Sequence, residues 1–220
     1  IMFSDVVGST QLYEKLGDDV ARGTVQGVVD QMKQATVENN GTVIKTMGDE
    51  VMATFDTVED AMLAAIAMQV KNHDSNEVSD QAFRVNIRIG CHYGHVVIEN
   101  KDVFGAAVHT ANRLTSQAKA LQIVITADTV ERLGASWLEL VRKIGMVTLR
   151  GQSGEVAMYE VVWAPDDATS MLPEVSDVVP TMQKLGRLRL RFQGQEVMLA
   201  ENKNRSATLG RADDNDVTIK

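Results

Sequence analysis

Two acidic residues follow short apolar stretches, a position from which carboxylates can bind a metal ion. Asp5 ends the apolar run that opens the chain, and Asp49 follows Gly48 between the apolar runs Thr42–Met47 and Val51–Phe55. A Gly-Asp pair between two such runs predicts a β-hairpin that presents Asp49 at an exposed tip. Either acid alone is ordinary turn chemistry. Together they favour a site for a hard divalent cation, which prefers carboxylate oxygens.

The segment Gly8-Ser9-Thr10 stands shortly after the first acid and predicts the start of a short helix, with Ser9 or Thr10 as its cap. Backbone N–H groups at the start of a helix bind phosphate groups. A plain helix cap is the ordinary interpretation of such a segment, and the chain contains no Walker motif. The phosphate hypothesis therefore depends on Asp5, since a divalent cation bound there would carry a phosphate chain.

The bulk properties are those of a soluble globular protein. The 220 residues are 44% hydrophobic and 24% charged, which suits one large or two small domains. The net charge of −8 argues against nonspecific binding to nucleic acid or to an anionic membrane. Cys91 is the only cysteine, so the sequence holds neither a disulfide framework nor a cysteine zinc cluster.

The sequence contains neither a membrane helix nor a signal peptide. No apolar run approaches the roughly 18 residues that a membrane helix needs, and no leader-like segment opens the chain. We therefore expect a cytoplasmic protein with no membrane segment in this chain. Ile1 falls inside an expected strand and Lys220 inside an expected module, so we also expect further segments beyond both ends.

The spacing of apolar residues predicts an α+β domain over residues 1–163. Its first half is expected to contain a strand over 1–7, a helix opened by Asp18 and closed by Asn39-Asn40-Gly41, the hairpin 42–55, a helix from Thr57 to about Val70, and a loop over 71–81. Its second half is expected to contain a strand from Phe83 to Cys91, a strand over His95–Glu99, a helix near 105–119, a strand near Ile123–Thr126, a short helix over 128–133, and strands near 147–150 and 157–163. This order fits a ferredoxin-like βαββαβ core with a C-terminal extension.

The remainder of the chain predicts a linker and a separate all-β module. All three prolines lie within the polar segment 164–184, which we interpret as the linker. Residues 185–220 then resemble the start of a forkhead-associated (FHA) domain, a phosphothreonine-reading β-sandwich, through Leu209-Gly210-Arg211 and the stretch that follows. The resemblance implies that Arg211 contacts phosphate, and that the complete module binds a phosphothreonine protein partner.

Four segments of the first domain resemble, in the same order, those of the class III nucleotide cyclase catalytic domain. They are FSDVVGST (3–10), IKTMGDEVMATF (44–55), DVFGAAVHTANR (102–113) and LRGQSGEVAMYEV (149–161). The resemblance covers about residues 1–163. It implies an adenylate cyclase, a lyase that converts ATP to cyclic AMP and pyrophosphate at a homodimer interface.

The resemblance also implies two Mg²⁺ or Mn²⁺ ions in each active site. Asp5 and Asp49 would hold them, and the backbone carbonyl of Val6 would complete a site. One ion lowers the pKa of the 3′-hydroxyl, and the other stabilises the departing pyrophosphate. Gly8, Ser9 and Thr10 would bind the β- and γ-phosphates.

By the same resemblance, Lys45 and Asp102 recognise the base. Lys45 would donate to adenine N1, and Asp102 would accept from the exocyclic amine, whereas guanine presents a carbonyl and an N–H at those positions. Guanylate-forming members of the family carry Glu and Cys-like residues instead. Without the resemblance, Lys45 is a solvated strand residue and Asp102 a helix cap.

The last segment of the site combines one match with one departure. Arg113 matches the family's transition-state arginine, and it shares a helix face with His109 and Asn112. His109 stands where the family usually has an Asn that positions the ribose, and Asn112 stands where it usually has a small residue. His109 is therefore either a replacement hydrogen-bond donor or a structural histidine in a weakly active cyclase. Arg150 matches the family's basic residue that reaches the terminal phosphates. The alternative interpretation is that Arg150 is an ordinary surface arginine.

Three alternatives to an adenylate cyclase stay open at this point. The hairpin Met47-Gly48-Asp49-Glu50 is similar to the signature of diguanylate cyclases, although its first Gly is missing. A guanylate cyclase shares the family. A protein that only binds nucleotide or dimerises is compatible with His109. The other histidines, His73, His92 and His95, lack the spacing of a metal site and are expected in the core or on the surface.

Overall fold

A computed structural model describes residues 1–78, 84–100, 102–148 and 155–164, together with the backbone of four short strands between 188 and 218. The chain divides into two compact units, Ile1–Pro173 and Glu174–Lys220. Arg150, Arg211 and most of the predicted linker 164–184 lie outside the described residues. The domain boundaries at 163 and 185 therefore stay predictions.

The described part of the first unit alternates helices with the strands of one large sheet. In chain order its elements are β1 (Met2–Val6), α1 (Ser9–Leu16), α2 (Asp18–Glu38), β2 (Thr42–Met47), β3 (Glu50–Thr54), α3 (Val58–Val78), β4 (Ile87–Cys91), β5 (Val97–Glu99), β6 (Asp102–Phe104), α4 (Ala106–Gln117), β7 (Ile123–Thr126), α5 (Ala127–Val130), α6 (Ala135–Leu138), β8 (Val141–Thr148) and β9 (Glu155–Val161).

The central sheet has seven strands in the order β2-β3-β1-β4-β7-β9-β8. Strand β1 lies between β3 and β4 and is antiparallel to both. The first four strands, with their two helical crossovers, have the βαββαβ connection that the sequence predicts, and β7 to β9 extend the sheet. The α+β expectation is therefore confirmed. A separate hairpin of β5 and β6 lies outside this sheet.

Helix α4 packs closely against the sheet beside the expected site. Phe3, Met52, Val103 and Ala111 form a buried apolar cluster between strands and helix. Gly90 of β4 allows the close approach, since a Cβ atom there would lie 2.4 Å from the backbone nitrogen of Thr115. Replacement by a larger residue would force the helix away from the sheet.

Several local predictions were wrong, and tertiary contacts explain the largest error. Helix α3 continues to Val78, although the polar stretch 71–81 predicted a loop. The side-chain amides of Asn72 and Asn76 each donate to the carbonyl oxygen of Val85 at 2.8 Å, so the polar residues anchor the helix. The helix predicted near 105–119 is confirmed as α4, whereas the strand β6 just before it was not predicted.

The second unit is described only through its strands. Strand β10 (Leu188–Phe192) pairs with β11 (Gln195–Leu199) in antiparallel fashion, and β12 (Leu209–Gly210) pairs with β13 (Val217–Thr218) in parallel fashion. The FHA interpretation stays a prediction. No helix in the described part of the chain is both long and apolar enough to cross a membrane.

Candidate active site

A row of charged side chains crosses three neighbouring strands at one end of the sheet. Asp5 on β1 pairs with Glu50 on β3 and with Arg88 on β4. Directly paired residues on antiparallel strands point to the same face, so these three side chains lie side by side. Asp49 precedes Glu50 in the turn of the hairpin. It is half-buried, where the sequence predicts an exposed tip.

Arg88 binds the first of the predicted metal ligands. Its Nε and Nη2 atoms donate to Oδ2 of Asp5 at 2.8 and 2.6 Å. Its Nη1 atom donates to the carbonyl oxygen of Ser116 on α4 at 3.3 Å. The guanidinium therefore neutralises part of the charge of Asp5 and ties the strand to the helix.

The acids of this row repel one another. Burial raises the pKa of Asp5, the charge of Asp49 raises it further, and Arg88 opposes both effects. Burial also raises the pKa of Glu50, with added contributions from Asp5 and Asp49. A divalent cation would offset this repulsion, so the electrostatics fit the metal ions that the sequence predicts.

The protein groups alone do not complete a metal site. No cluster of three or more His, Cys, Asp or Glu side chains within the described residues has the geometry to hold a metal ion. Mg²⁺ is commonly bound by one or two carboxylates, with substrate phosphates and water supplying the other oxygens. Asp5 and Asp49, with the predicted carbonyl of Val6, match that incomplete type of ligand set.

The expected phosphate turn leads into α1, but its cap differs from the prediction. Ser9 is the first residue of the helix, and Gly8 is the cap, with a φ of 71° and no side-chain capping bond. Ser9 and Thr10 therefore do not cap the helix. The first N–H groups of any helix lack a partner within it, so this turn retains donors that suit phosphate.

The predicted base-binding residues are in direct contact. The Nζ atom of Lys45 lies 2.7 and 2.8 Å from the two carboxylate oxygens of Asp102. The hydrogen bond from Lys45 and a second from the backbone of Val103 lower the pKa of Asp102. Asp102 lies in β6, and Gly105 caps α4, so the helix-cap alternative for Asp102 is wrong.

Helix α4 presents the remaining candidate residues. His109 is exposed and Arg113 is half-buried. Asn112 is directed towards the hairpin, where its Nδ2 atom lies 3.3 Å from both carboxylate oxygens of Glu50. The family usually has a small residue at this position. The larger side chain of Asn112 therefore makes a contact with Glu50 that a small residue could not make.

The sequence interpretation missed Arg88 and Glu50 as members of this site. Arg88 alternates with the apolar residues of its strand, which placed it on the polar face without naming a partner. Glu50 follows Asp49 directly, and this adjacency is the sequence signal that could have placed Glu50 near the site. Their partners are defined by strand register, which a single sequence does not reveal.

The three other histidines show no metal-binding role among the described residues. His92 is buried, and its Nδ1 atom lies 2.8 Å from the hydroxyl of Thr126. The ring of His73 lies edge-on to that of Trp163, with 6.0 Å between centroids. His95 is exposed.

Comparison with known proteins places this geometry in a family. The family model for the adenylate and guanylate cyclase catalytic domain matches residues 1–162. Adenylate cyclases of Streptomyces coelicolor and Streptomyces griseus are 28% and 31% identical over 132 and 142 residues. These alignments cover 60% and 64% of this chain, and 33% and 32% of the relatives. The chain therefore spans about a third of the length of these curated relatives.

A solved structure shows the same fold. The adenylate/guanylate cyclase/hydrolase from Silicibacter pomeroyi superposes with a TM-score of 0.63 at 24% identity. The match covers 73% of this chain and 94% of that protein.

Proposed function

The chain belongs to the adenylate and guanylate cyclase catalytic domain family, and from this premise we propose that it converts ATP to cyclic AMP and pyrophosphate. The Lys45–Asp102 pair is the observation that carries the choice of ATP. A lysine placed at N1 and a carboxylate placed at the exocyclic group match adenine in both donor and acceptor. Each side chain retains hydrogen-bonding capacity beyond their mutual contact.

Asp5 and Asp49, with the carbonyl of Val6, are the groups that would hold two Mg²⁺ or Mn²⁺ ions. Such ions activate the 3′-hydroxyl and stabilise the departing pyrophosphate. Burial is the main cause of the raised pKa of Asp5 and Glu50, and the charges of neighbouring acids add to it. A bound cation would favour the ionised carboxylates, which supports this assignment. With the ions activating the hydroxyl, the mechanism needs neither Asp5 nor Asp49 as a general base.

The other residues bind and orient the substrate. The N–H groups of Gly8, Ser9 and Thr10 would hold the β- and γ-phosphates, with Arg150 as an added cation from the family resemblance. Arg113 would stabilise charge on the phosphate in the transition state, and His109 would position the ribose. The rate enhancement then comes from positioning and electrostatic stabilisation.

We propose that the site forms between two copies of the chain. The proposed metal ligands lie near the end of β1 and in the β2–β3 turn, whereas Asp102, the partner of Lys45, lies on β6 of the separate β5–β6 hairpin. In a symmetric dimer, the acids of one protomer would face Lys45, Asp102 and Arg113 of its partner.

A nucleotide-binding protein without cyclase activity is the second candidate. It is favoured by His109, which departs from the usual Asn, and by the bond that Arg88 makes to Asp5. The match to the adenylate and guanylate cyclase family over residues 1–162 removes support for a diguanylate cyclase.

The direct test is incubation with ATP or GTP and Mn²⁺, followed by chromatographic separation of cyclic from linear products. We expect cyclic AMP as the main product. Cyclic GMP as the main product would identify a guanylate cyclase, and the absence of any cyclic product would favour the nucleotide-binding candidate.

The proposed base-binding pair yields a specificity prediction. Lys45→Glu combined with Asp102→Cys is expected to erode the preference for ATP over GTP, because the hydrogen-bonding pattern at the purine edge changes. The measurement is the ratio of kcat/KM values for the two nucleotides. Lys143→Glu is the control, because Lys143 is an exposed strand lysine. A wild-type enzyme that already prefers GTP would contradict the assignment.

His109 yields a prediction about positioning. His109→Asn is expected to keep or raise the turnover number, whereas His109→Ala is expected to lower it about tenfold or more, since the ribose would lose its hydrogen-bond partner. Steady-state kinetics of both variants check this. Wild-type rates in both would place His109 outside the site.

A further inference from the structure

One polar contact joins the hairpin that carries Asp49 to the helix that carries Arg113. The side-chain amide of Asn112 lies 3.3 Å from both carboxylate oxygens of Glu50, across 62 residues of sequence. Both side chains are half-buried. Each stands next to a residue of the proposed active site, Glu50 beside Asp49 and Asn112 beside Arg113. The contact therefore spans the two parts of the protomer that serve the reaction.

A second contact holds the same stretch of helix to the same row of strand residues. The Nη1 atom of Arg88 donates to the carbonyl oxygen of Ser116, one turn after Asn112. The hydroxyl of Thr115 also lies 3.3 Å from the carbonyl oxygen of Phe3. Helix α4 is thus fixed along the sheet by polar contacts at successive positions, and Glu50 supplies the one nearest the hairpin turn.

The chemistry of the pair suits a place beside metal-binding acids. A third carboxylate next to Asp5 and Asp49 is electrostatically unfavourable, so Glu50 needs a partner. Arg88 is bonded to Asp5 and offsets only part of the charge of Glu50. The neutral amide of Asn112 supplies hydrogen bonds to Glu50 without placing a second cation beside the proposed metal ligands.

We propose that Glu50 is a positioning residue, which acts through Asn112 to hold helix α4 in register with the Asp49 turn. Glu50 itself binds neither the cation nor the nucleotide. This inference rests on the proposed cyclase function. It extends that function by assigning roles to two residues outside the predicted site.

The test is a double-mutant cycle on the full chain, with ATP and Mn²⁺ as the assay. Glu50→Ala and Asn112→Ala are each expected to lower kcat about tenfold with little change in KM for ATP, because misplaced groups act on the transition state. The double variant is expected to be no slower than either single variant. Glu50→Gln retains an acceptor for Asn112 and is expected to stay within about twofold of wild type.

Controls and contrary outcomes separate this proposal from its premise. Glu139→Ala removes an exposed acid after α6 and is expected to be without effect. If Glu50→Gln is as slow as Glu50→Ala and needs more Mn²⁺, the carboxylate charge matters and the positioning role is overturned. Additive losses in the cycle would overturn it as well. An inactive wild-type chain would instead refute the cyclase function. An active wild-type chain whose Glu50 and Asn112 variants are equally active would refute only the role of Glu50.

Discussion

Replacement of Asp49 by Asn is expected to lower cyclase turnover by about a thousandfold or more, because the proposed metal ions would lower the energy of the charged transition state by several kcal/mol. The fold should survive. Asp49 raises the pKa of both Asp5 and Glu50 through its charge, so its neutral replacement relieves repulsion. Asp49→Asn should therefore unfold at a temperature no lower than that of wild type.

Asp5→Asn is expected to lose activity to a similar extent but also to lose stability. Its carboxylate accepts two hydrogen bonds from Arg88, and a neutral amide binds that guanidinium more weakly. Thermal unfolding and Mn²⁺-dependent turnover of both variants test this difference. Asp56→Asn serves as the control, because Asp56 is an exposed acid just beyond β3. Undiminished turnover in Asp49→Asn would refute the metal assignment.

A mixture of two inactive variants is expected to regain activity if each site is built from two chains. Asp49→Asn removes a proposed metal ligand, and Arg113→Ala removes the proposed transition-state arginine from the opposite half-site. In a mixed dimer, one site collects both lesions and the other collects neither. Half of the dimers in an equal mixture are mixed and each has one intact site, so about a quarter of wild-type activity should return.

The measurement is cyclic AMP formation after the two variants are co-expressed or re-equilibrated. Asp49→Asn mixed with Asp5→Asn is the matched control, since both lesions lie in the same half-site and no intact site can form. Recovered activity should decrease on dilution if the dimer is weak. Stable mixed dimers of Asp49→Asn and Arg113→Ala without any activity would refute the shared site.

The sequence alone determined those features that depend on neighbours along the chain. The Gly48-Asp49 pair between apolar runs defined the β2–β3 hairpin, and Asn39-Asn40-Gly41 defined the end of α2, because turn and cap chemistry act over a few residues. The family resemblance rests on similar short segments. Local patterns also failed where a distant partner overrides them, as in residues 71–78, where contacts to Val85 keep a polar stretch helical.

Only the tertiary structure decided which charged groups meet. The bonds from Lys45 to Asp102, from Asn112 to Glu50 and from Arg88 to Asp5 join residues separated by 57, 62 and 83 positions. Each contact depends on strand register and on the seating of β6 or α4 against the sheet. A shift of one residue in a strand would turn its side chains to the opposite face. The sequence thus identifies the candidate reactive residues, whereas the pairing of the strands determines which side chains they contact.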